Sequence, residues 1–385
     1  MLKISNAKII DDDISKGNIY IDSGKIVAVT DACLPFDEEI DAKQNFVSPG
    51  FIDMHVHGGG GYDVMDGDAD SVREVAKMHL AHGTTSIYPT TVASRPELLK
   101  KAVANIKAAM DFPTIRGVHL EGPYFSLVQC GAQSADCIRD IDFNEVEELL
   151  ESGVIKRWDF APERENSEEF AKLLRENNVV SSIGHSDAVY DDVLKVYDTG
   201  CRLITHLYSA TSTITRIGGY RKLGITECAY LLDDMKAEII ADGSHLPPEL
   251  LKLIIKLKGT DKISLITDAM RGAGMPDGEY ILGNKDTGIK CVKENGVAKL
   301  PDRTAFAGSV ATADMLVTTM YKKAGIPLPD AVKMLTRNPA EIMGLNSKGR
   351  IKSDFDADIV IFDDDINVKT VIVDGRVLVN DGKDI

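Results

Sequence analysis

Between about residue 50 and residue 345 the chain alternates short apolar runs with longer stretches in which apolar positions recur every three to four residues. Such alternation predicts repeated strand and helix units around a parallel sheet. Eight strands are predicted, at "FIDMHVH", "TTSIYPT", "TIRGVHLEG", "RWDFAPE", "VVSSIGH", "RLITHLY", "AEIIADG" and "KISLITDA". Eight is the number that closes a barrel. Helices are expected over Ser94 to Met110, with Pro96 in its first turn, over Asn166 to Asn177 and over Pro247 to Lys258. The stretch Arg271 to Phe306, rich in Gly, Asp and short β runs, reads as an antiparallel excursion over the barrel mouth. Both chain ends are written differently, as short β-rich runs broken by Asp and Gly turns. Neither end could bury a core alone, so the two are expected to pair. The predicted fold class is therefore α/β: a (β/α)8 TIM-like barrel over residues 49–348, with a small β-sandwich built from residues 1–48 and 349–385.

Polar residues break the apolar runs at corresponding places. In a strand, residues i and i+2 share a face, so His55 and His57 project together while Val56 points toward the helical layer. Other predicted strands end at Glu121, His185, His206 and Asp268. The C-terminal strand ends are where barrels of this kind build active sites. Four histidines and two carboxylates converging on one mouth match the nitrogen and oxygen preference of Zn²⁺, Fe²⁺ or a related divalent ion. His79 and His82, on the helix after the first strand, read as structural, and His119 reads as support for Glu121 rather than as a ligand.

Composition narrows the partners. With 385 residues and 44% hydrophobic content the chain can bury a large core. A net charge of −16 and a pI near 5.0 argue against nucleic acid and anionic membrane as partners, leaving a small molecule. The six cysteines show no paired spacing, which points to reduced thiols in a cytoplasmic protein. No uninterrupted apolar run is long enough to span a membrane.

"PGFIDMHVHG" resembles the first-strand signature of the metal-dependent amidohydrolases. "HLEGPY", "GAQ", "FAPE", "GHSDA", "THLYSA", "IIADGSH", "LITDAM" and "AFAGS", in this order, resemble the N-acetylglucosamine-6-phosphate deacetylase family. Hydantoinase-like relatives use a carboxylated Lys on the fourth strand, whereas here Lys156 stands at that strand's start and Glu121 is available to bridge. The resemblance implies Glu121, His185 and His206 as the principal metal site and Asp268 as catalytic acid and base, with His55 and His57 equipping the chain for a second ion. One or two divalent ions, zinc or iron, are thus implied. Ala132, Gln133, Ser209, Ala210, His245, Phe306, Ala307 and Gly308 are implied to line a sugar phosphate site, with Gln133 a candidate oxyanion donor.

One stretch departs from the family pattern. "HLYSATSTITRIGGYRKLG" carries Ser209 where the family reads Asn, and Arg216 one position out of register with the phosphate-gripping Arg. Arg216 is the expected phosphate ligand, with Arg221 or Lys222 as substitutes. The reaction so implied is removal of acetate from an N-acetyl amino sugar 6-phosphate, either N-acetylglucosamine 6-phosphate or its galacto epimer. Alternatives are another N-acyl or cyclic amide substrate, and a non-catalytic barrel, although the latter should have lost ligands that this chain keeps. A homodimer is expected by analogy.

Overall fold

Eight parallel strands form where the short apolar runs stand: β1 (Phe51–Val56), β2 (Thr84–Thr91), β3 (Val118–Glu121), β4 (Ile155–Phe160), β5 (Val180–Ile183), β6 (Leu203–Ile204), β7 (Lys236–Ile240) and β8 (Ile263–Ile266). In the computed structural model, which describes residues 1–381 and 383–384, they are hydrogen-bonded in sequence order. Positions 382 and 385, at the end of the expected C-terminal β segment, lie outside the described residues. Nearly every strand residue is buried, as expected of a parallel sheet covered on both faces. Across the remaining seam, the Asp268 N–H donates to His55 O at 2.9 Å and the His57 N–H to Ala269 O at 2.9 Å. The barrel therefore closes through the very residues that carry the polar signature.

The helical layer follows the predicted periodicity. Helices span Pro96–Ala108, Ser167–Glu176 and Pro248–Lys258, two of them entered through a proline at the first turn, where a missing N–H costs nothing. Val56 shares a buried core with Val72, Val75 and Leu80 of the helix Ala69–Ala81, on the strand face opposite His55 and His57. Lys156 is exposed near the start of β4, far along the strand from its catalytic end.

Both chain ends share a nine-stranded sheet. Strand Phe46–Pro49 joins them, pairing parallel with Leu2–Ile10 on one side and antiparallel with Ile359–Phe362 on the other. A bridge between Lys25 and Asp356 brings the sheet back on itself around Ile4, Ile9, Ile19, Ile26, Ile359 and Ile361. This is the sandwich expected from the two β-rich ends.

Two smaller antiparallel features leave the barrel layer. The excursion after β8 forms an antiparallel sheet of Gly278–Leu282, Ile289–Glu294 and Val297–Lys299, anchored by Arg271, which donates to Asp66 Oδ1 at 2.8 Å and Gly283 O at 2.7 Å. A hairpin of Thr215–Ile217 and Tyr220–Lys222, not anticipated from the sequence, stands exposed beyond β6. Among the described residues, no helix is long and apolar enough to cross a membrane.

Candidate metal centre

All six rim residues come together, three of them through a sharp reversal of the backbone at the strand end. His185, His206 and Asp268 follow β5, β6 and β8 with φ of 47°, 26° and 47°. A positive φ in a non-glycine residue costs of order 1–3 kcal/mol and persists only where the surroundings enforce it. Here the reversal turns each side chain from the strand direction into the mouth. Asp268 is enforced by a further zipper: its carbonyl accepts the Ser309 N–H at 2.7 Å. Gly308 follows the same contact with φ of 63°, and a Cβ there would meet Asp268 O at 3.0 Å.

Glu121 lies at the middle of the cluster. Its Oε1 is 3.1 Å from His185 Nε2, 3.0 Å from His206 Nε2 and 3.4 Å from His55 Nε2. Its Oε2 is 3.3 Å from His57 Nε2. Asp268 Oδ1 stands 3.1 Å from His57 Nε2 and 3.5 Å from His55 Nε2. Two sets of donor atoms are close enough to share an ion: Glu121 with His185 and His206, and His55 with His57 and Asp268. Tautomers favour this. The Nδ1–H of His57, His185 and His206 donates to Thr90 O at 3.1 Å, Gln129 O at 2.9 Å and Ser209 O at 3.0 Å respectively. That leaves each Nε2 lone pair directed at the cluster, the arrangement metal-ligating histidines adopt. A third set, His55, His119 and Asp159, lies deeper, but there the Arg157 guanidinium already supplies the positive charge.

The electrostatics follow from burial among opposite charges. Desolvation opposes every charged form here, yet Glu121 holds His55 well above the ordinary imidazole range. Asp268 and Glu121 together push His57 up to about 10. Burial would raise the carboxyls, but the surrounding imidazoles hold Glu121 well below its ordinary value, and His57 and His55 hold Asp268 below its own. Asp53, two residues before His55, is pushed by burial to about 6 and takes the Thr267 hydroxyl at 2.5 Å. His119, buried beside Arg157, falls to about 4 and sits between Thr90 Oγ1 and Asp159 Oδ1, each at 3.0 Å. His79 Nε2–H donates to Gly58 O at 3.0 Å and His82 pairs with Asp314 at 3.0 Å, so both are structural.

The cluster opens into a cavity of ≈ 320 Å³, lined among others by Ala132, Gln133, Ser209, Ala210, His245, Phe306 and Gly308. Gln133 is fixed at both ends, its Oε1 accepting the Ala93 N–H at 2.7 Å and its Nε2 donating to Glu121 Oε2. His245 stacks on Phe306 with ring centroids 4.4 Å apart and engages Asp242 through Nδ1 at 2.8 Å. Two expected residues are not on the wall. Ala307 is fully buried and its N–H donates to Ala298 O at 3.0 Å, so it holds Phe306 and Gly308 in place instead of lining the cavity. Arg216 stands on the exposed hairpin, paired across it with Arg221, because the two-strand turn carries it away from the rim. Tyr208, Leu282 and Ala305 line the cavity without having been anticipated. A fully buried charged layer of Arg157, Asp159 and Glu238, which does not line the cavity, was also not anticipated, although the i, i+2 spacing of Arg157 and Asp159 repeats that of the two histidines.

Residues 46–378 match the amidohydrolase family. The chain is 34% identical to the N-acetylglucosamine-6-phosphate deacetylase of Lysinibacillus sphaericus, over 89% of this chain and 88% of that one. It is 31% identical to the N-acetylgalactosamine-6-phosphate deacetylase of Escherichia coli O157:H7, over 85% of this chain and 86% of that one. It also resembles the structure of a Mycobacterium smegmatis N-acetyl-D-glucosamine-6-phosphate deacetylase variant in complex with N-acetyl-D-glucosamine-6-phosphate. That likeness has a TM-score of 0.90 at 30% identity, covering 98% of this chain and 99% of the other.

The charges of the cluster fix a pH dependence. In a metal-free preparation the stabilisation from His57 is fully present below pH 6.5 and is lost as pH rises through about 10. Glu121 and Asp268 act in the opposite sense, stabilising above their ordinary values of 4.5 and 3.8 and ceasing to do so on acidification. Chelator-treated protein should therefore show a falling thermal midpoint between pH 6.5 and 10. Binding of a divalent ion should release protons near neutral pH, since a ligating imidazole must be neutral. Calorimetric titration in two buffers of different ionisation enthalpy measures that release, and identical apparent enthalpies would contradict it.

Proposed function

We propose that this chain, which belongs to the amidohydrolase family and within it to the N-acetylglucosamine-6-phosphate deacetylases, hydrolyses the acetamide of an N-acetyl amino sugar 6-phosphate to acetate and the free amino sugar phosphate. The observation that carries this reading is the Glu121, His185 and His206 cluster beside Asp268 at the floor of a cavity of ≈ 320 Å³, a volume suited to one sugar phosphate. N-acetylglucosamine 6-phosphate is the first substrate to test. The similarity to the E. coli enzyme makes the galacto epimer the second.

Enzymes of this family are metal-dependent, and the donor set here fits a divalent ion of the zinc or iron kind. Glu121, His185 and His206 would hold one ion, and His55, His57 and Asp268 would hold a second. An ion so held supplies Lewis acidity, polarising the acetamide carbonyl and easing ionisation of a water molecule. Asp268 takes the proton of the attacking water and returns it to the departing nitrogen, because an unprotonated amine anion is a prohibitive leaving group. Gln133, pinned between Ala93 and Glu121, keeps one amide proton to offer the developing oxyanion.

Ala132, Ser209, Ala210, His245, Phe306 and Gly308 shape the sugar site, and His245 retains Nε2 for the phosphate. Arg216 reaches that phosphate only if its hairpin folds over the mouth or packs against a second copy of the chain, which suits a homodimer. With six unpaired cysteines the working compartment is the cytoplasm, and the catalytic unit is the barrel of residues 49–348, flanked by 1–48 and 349–385.

Acetate release from N-acetylglucosamine 6-phosphate, N-acetylgalactosamine 6-phosphate and unphosphorylated N-acetylglucosamine tests the substrate; no release from any of the three would overturn the reading. Asp268→Asn should retain the ion at Glu121, His185 and His206 while turnover drops by several orders of magnitude, and retention of more than about a tenth of the rate would assign the proton to another group. Arg216→Ala should raise KM for the phosphorylated sugar roughly thirtyfold, equivalent to about 2 kcal/mol for a charge-assisted bond. The unphosphorylated sugar should be unaffected, and Arg221→Ala should be neutral on both. Neutrality of Arg216→Ala with the phosphorylated sugar would remove Arg216 from the site.

A further inference from the structure

Below the rim, the barrel interior holds a layer of charge that the deacetylation chemistry does not touch. Arg157 is fully buried. Its Nε and Nη2 donate to the two oxygens of Asp159 at 3.0 and 3.1 Å. Its Nη1 and Nη2 donate to the two oxygens of Glu238, the second at 2.9 Å. Thr205 Oγ1 at 2.9 Å, Met54 O at 3.3 Å and Ser182 Oγ at 3.4 Å are its further acceptors. One planar guanidinium thus fixes two carboxylates by fork contacts that a lysine could not reproduce.

The four rim imidazoles are not supported alike. His57, His185 and His206 each turn Nδ1 to a main-chain carbonyl. His55 has no such carbonyl. Its Nδ1 is buried without a hydrogen bond of good geometry, and the group opposite it is Glu238 Oε2 at 3.5 Å. A carboxylate behind a ligating imidazole fixes the tautomer as a carbonyl does, and in addition raises the donor strength of the other nitrogen.

We propose that Glu238, clamped by Arg157, is the positioning residue for His55 and thereby sets the affinity of the second ion, the one held by His55, His57 and Asp268. The inference rests on the two-ion reading above. Asp159 is locked by the same guanidinium but faces His119, so the effect belongs to Glu238 and not to the layer as a whole. The first ion, on Glu121, His185 and His206, has its imidazoles braced by Gln129 and Ser209 and is independent of it.

Zinc affinity measured by chelator competition on the full chain tests this. In the wild-type protein two ions should bind, and His55→Gln identifies the second as the one it weakens. Glu238→Gln should weaken that same ion about tenfold or more while leaving the first within about threefold. Arg157→Lys should act in the same direction, and if that variant does not fold, Glu238→Gln alone carries the test. In a His55→Gln background, Glu238→Gln should change zinc affinity no further, an outcome that general damage to the barrel would not produce. Two wild-type ions with unchanged affinities in Glu238→Gln, or equal weakening of both, would overturn this assignment and leave the two-ion reading standing. A wild-type chain that binds only one ion would overturn both.

Discussion

A buried carboxylate ringed by four imidazole nitrogens is the constraint on which the rest of the structure turns. Glu121 accepts contacts of 3.0 to 3.4 Å from His206, His185, His57 and His55 in a place from which water is almost wholly excluded. A buried charge left uncompensated is costly, of the order of 3–5 kcal/mol when a partner is removed. The compensation available without metal is protons, which is why His57 rises to about 10. A divalent ion offers the same positive charge at the same Nε2 atoms and leaves the imidazoles neutral. Protons and a divalent ion are thus alternative counter-charges for the proposed site.

Holding those groups together requires a scaffold that tolerates strain where it matters. The left-handed backbone at His185, His206 and Asp268 is sustained by the closed barrel around it and by the Ser309 contact behind Asp268. Beneath, Arg157 neutralises Asp159 and Glu238 so that the floor of the barrel can be polar without being unpaired. Rim and floor meet at His55, whose ring packs edge-on against His119 at 4.6 Å between centroids. Charge balance at the rim therefore depends on geometry set a layer below.

Much of this was legible from the chain. The eight inner strands fall where short apolar runs predicted them, and the i, i+2 rule placed His55 and His57 on one face because the pleat has period two. Strand-terminal Glu121, His185, His206 and Asp268 were readable for the same reason: a polar residue closing an apolar run in a barrel points to the mouth. The floor was not. Asp159 and Glu238 sit between apolar neighbours and Arg157 between Lys156 and Trp158, and alternation alone does not say which face of a strand looks inward. Arg216 escaped for another cause, since its position depends on an exposed hairpin whose Ile217 and Tyr220 are not buried and so fix no direction. Ala307 was placed by motif on the cavity wall, while the backbone pairing with Ala298 turns it inward.

Anomalous diffraction from crystals grown with zinc tests the central claim most directly, because it locates ions without reference to activity. Two peaks are expected, one within bonding distance of Glu121, His185 and His206 and one within bonding distance of His55, His57 and Asp268, with Glu121 close to both. An ordered cluster with no anomalous peak at Glu121, His185 and His206 under saturating zinc would contradict it.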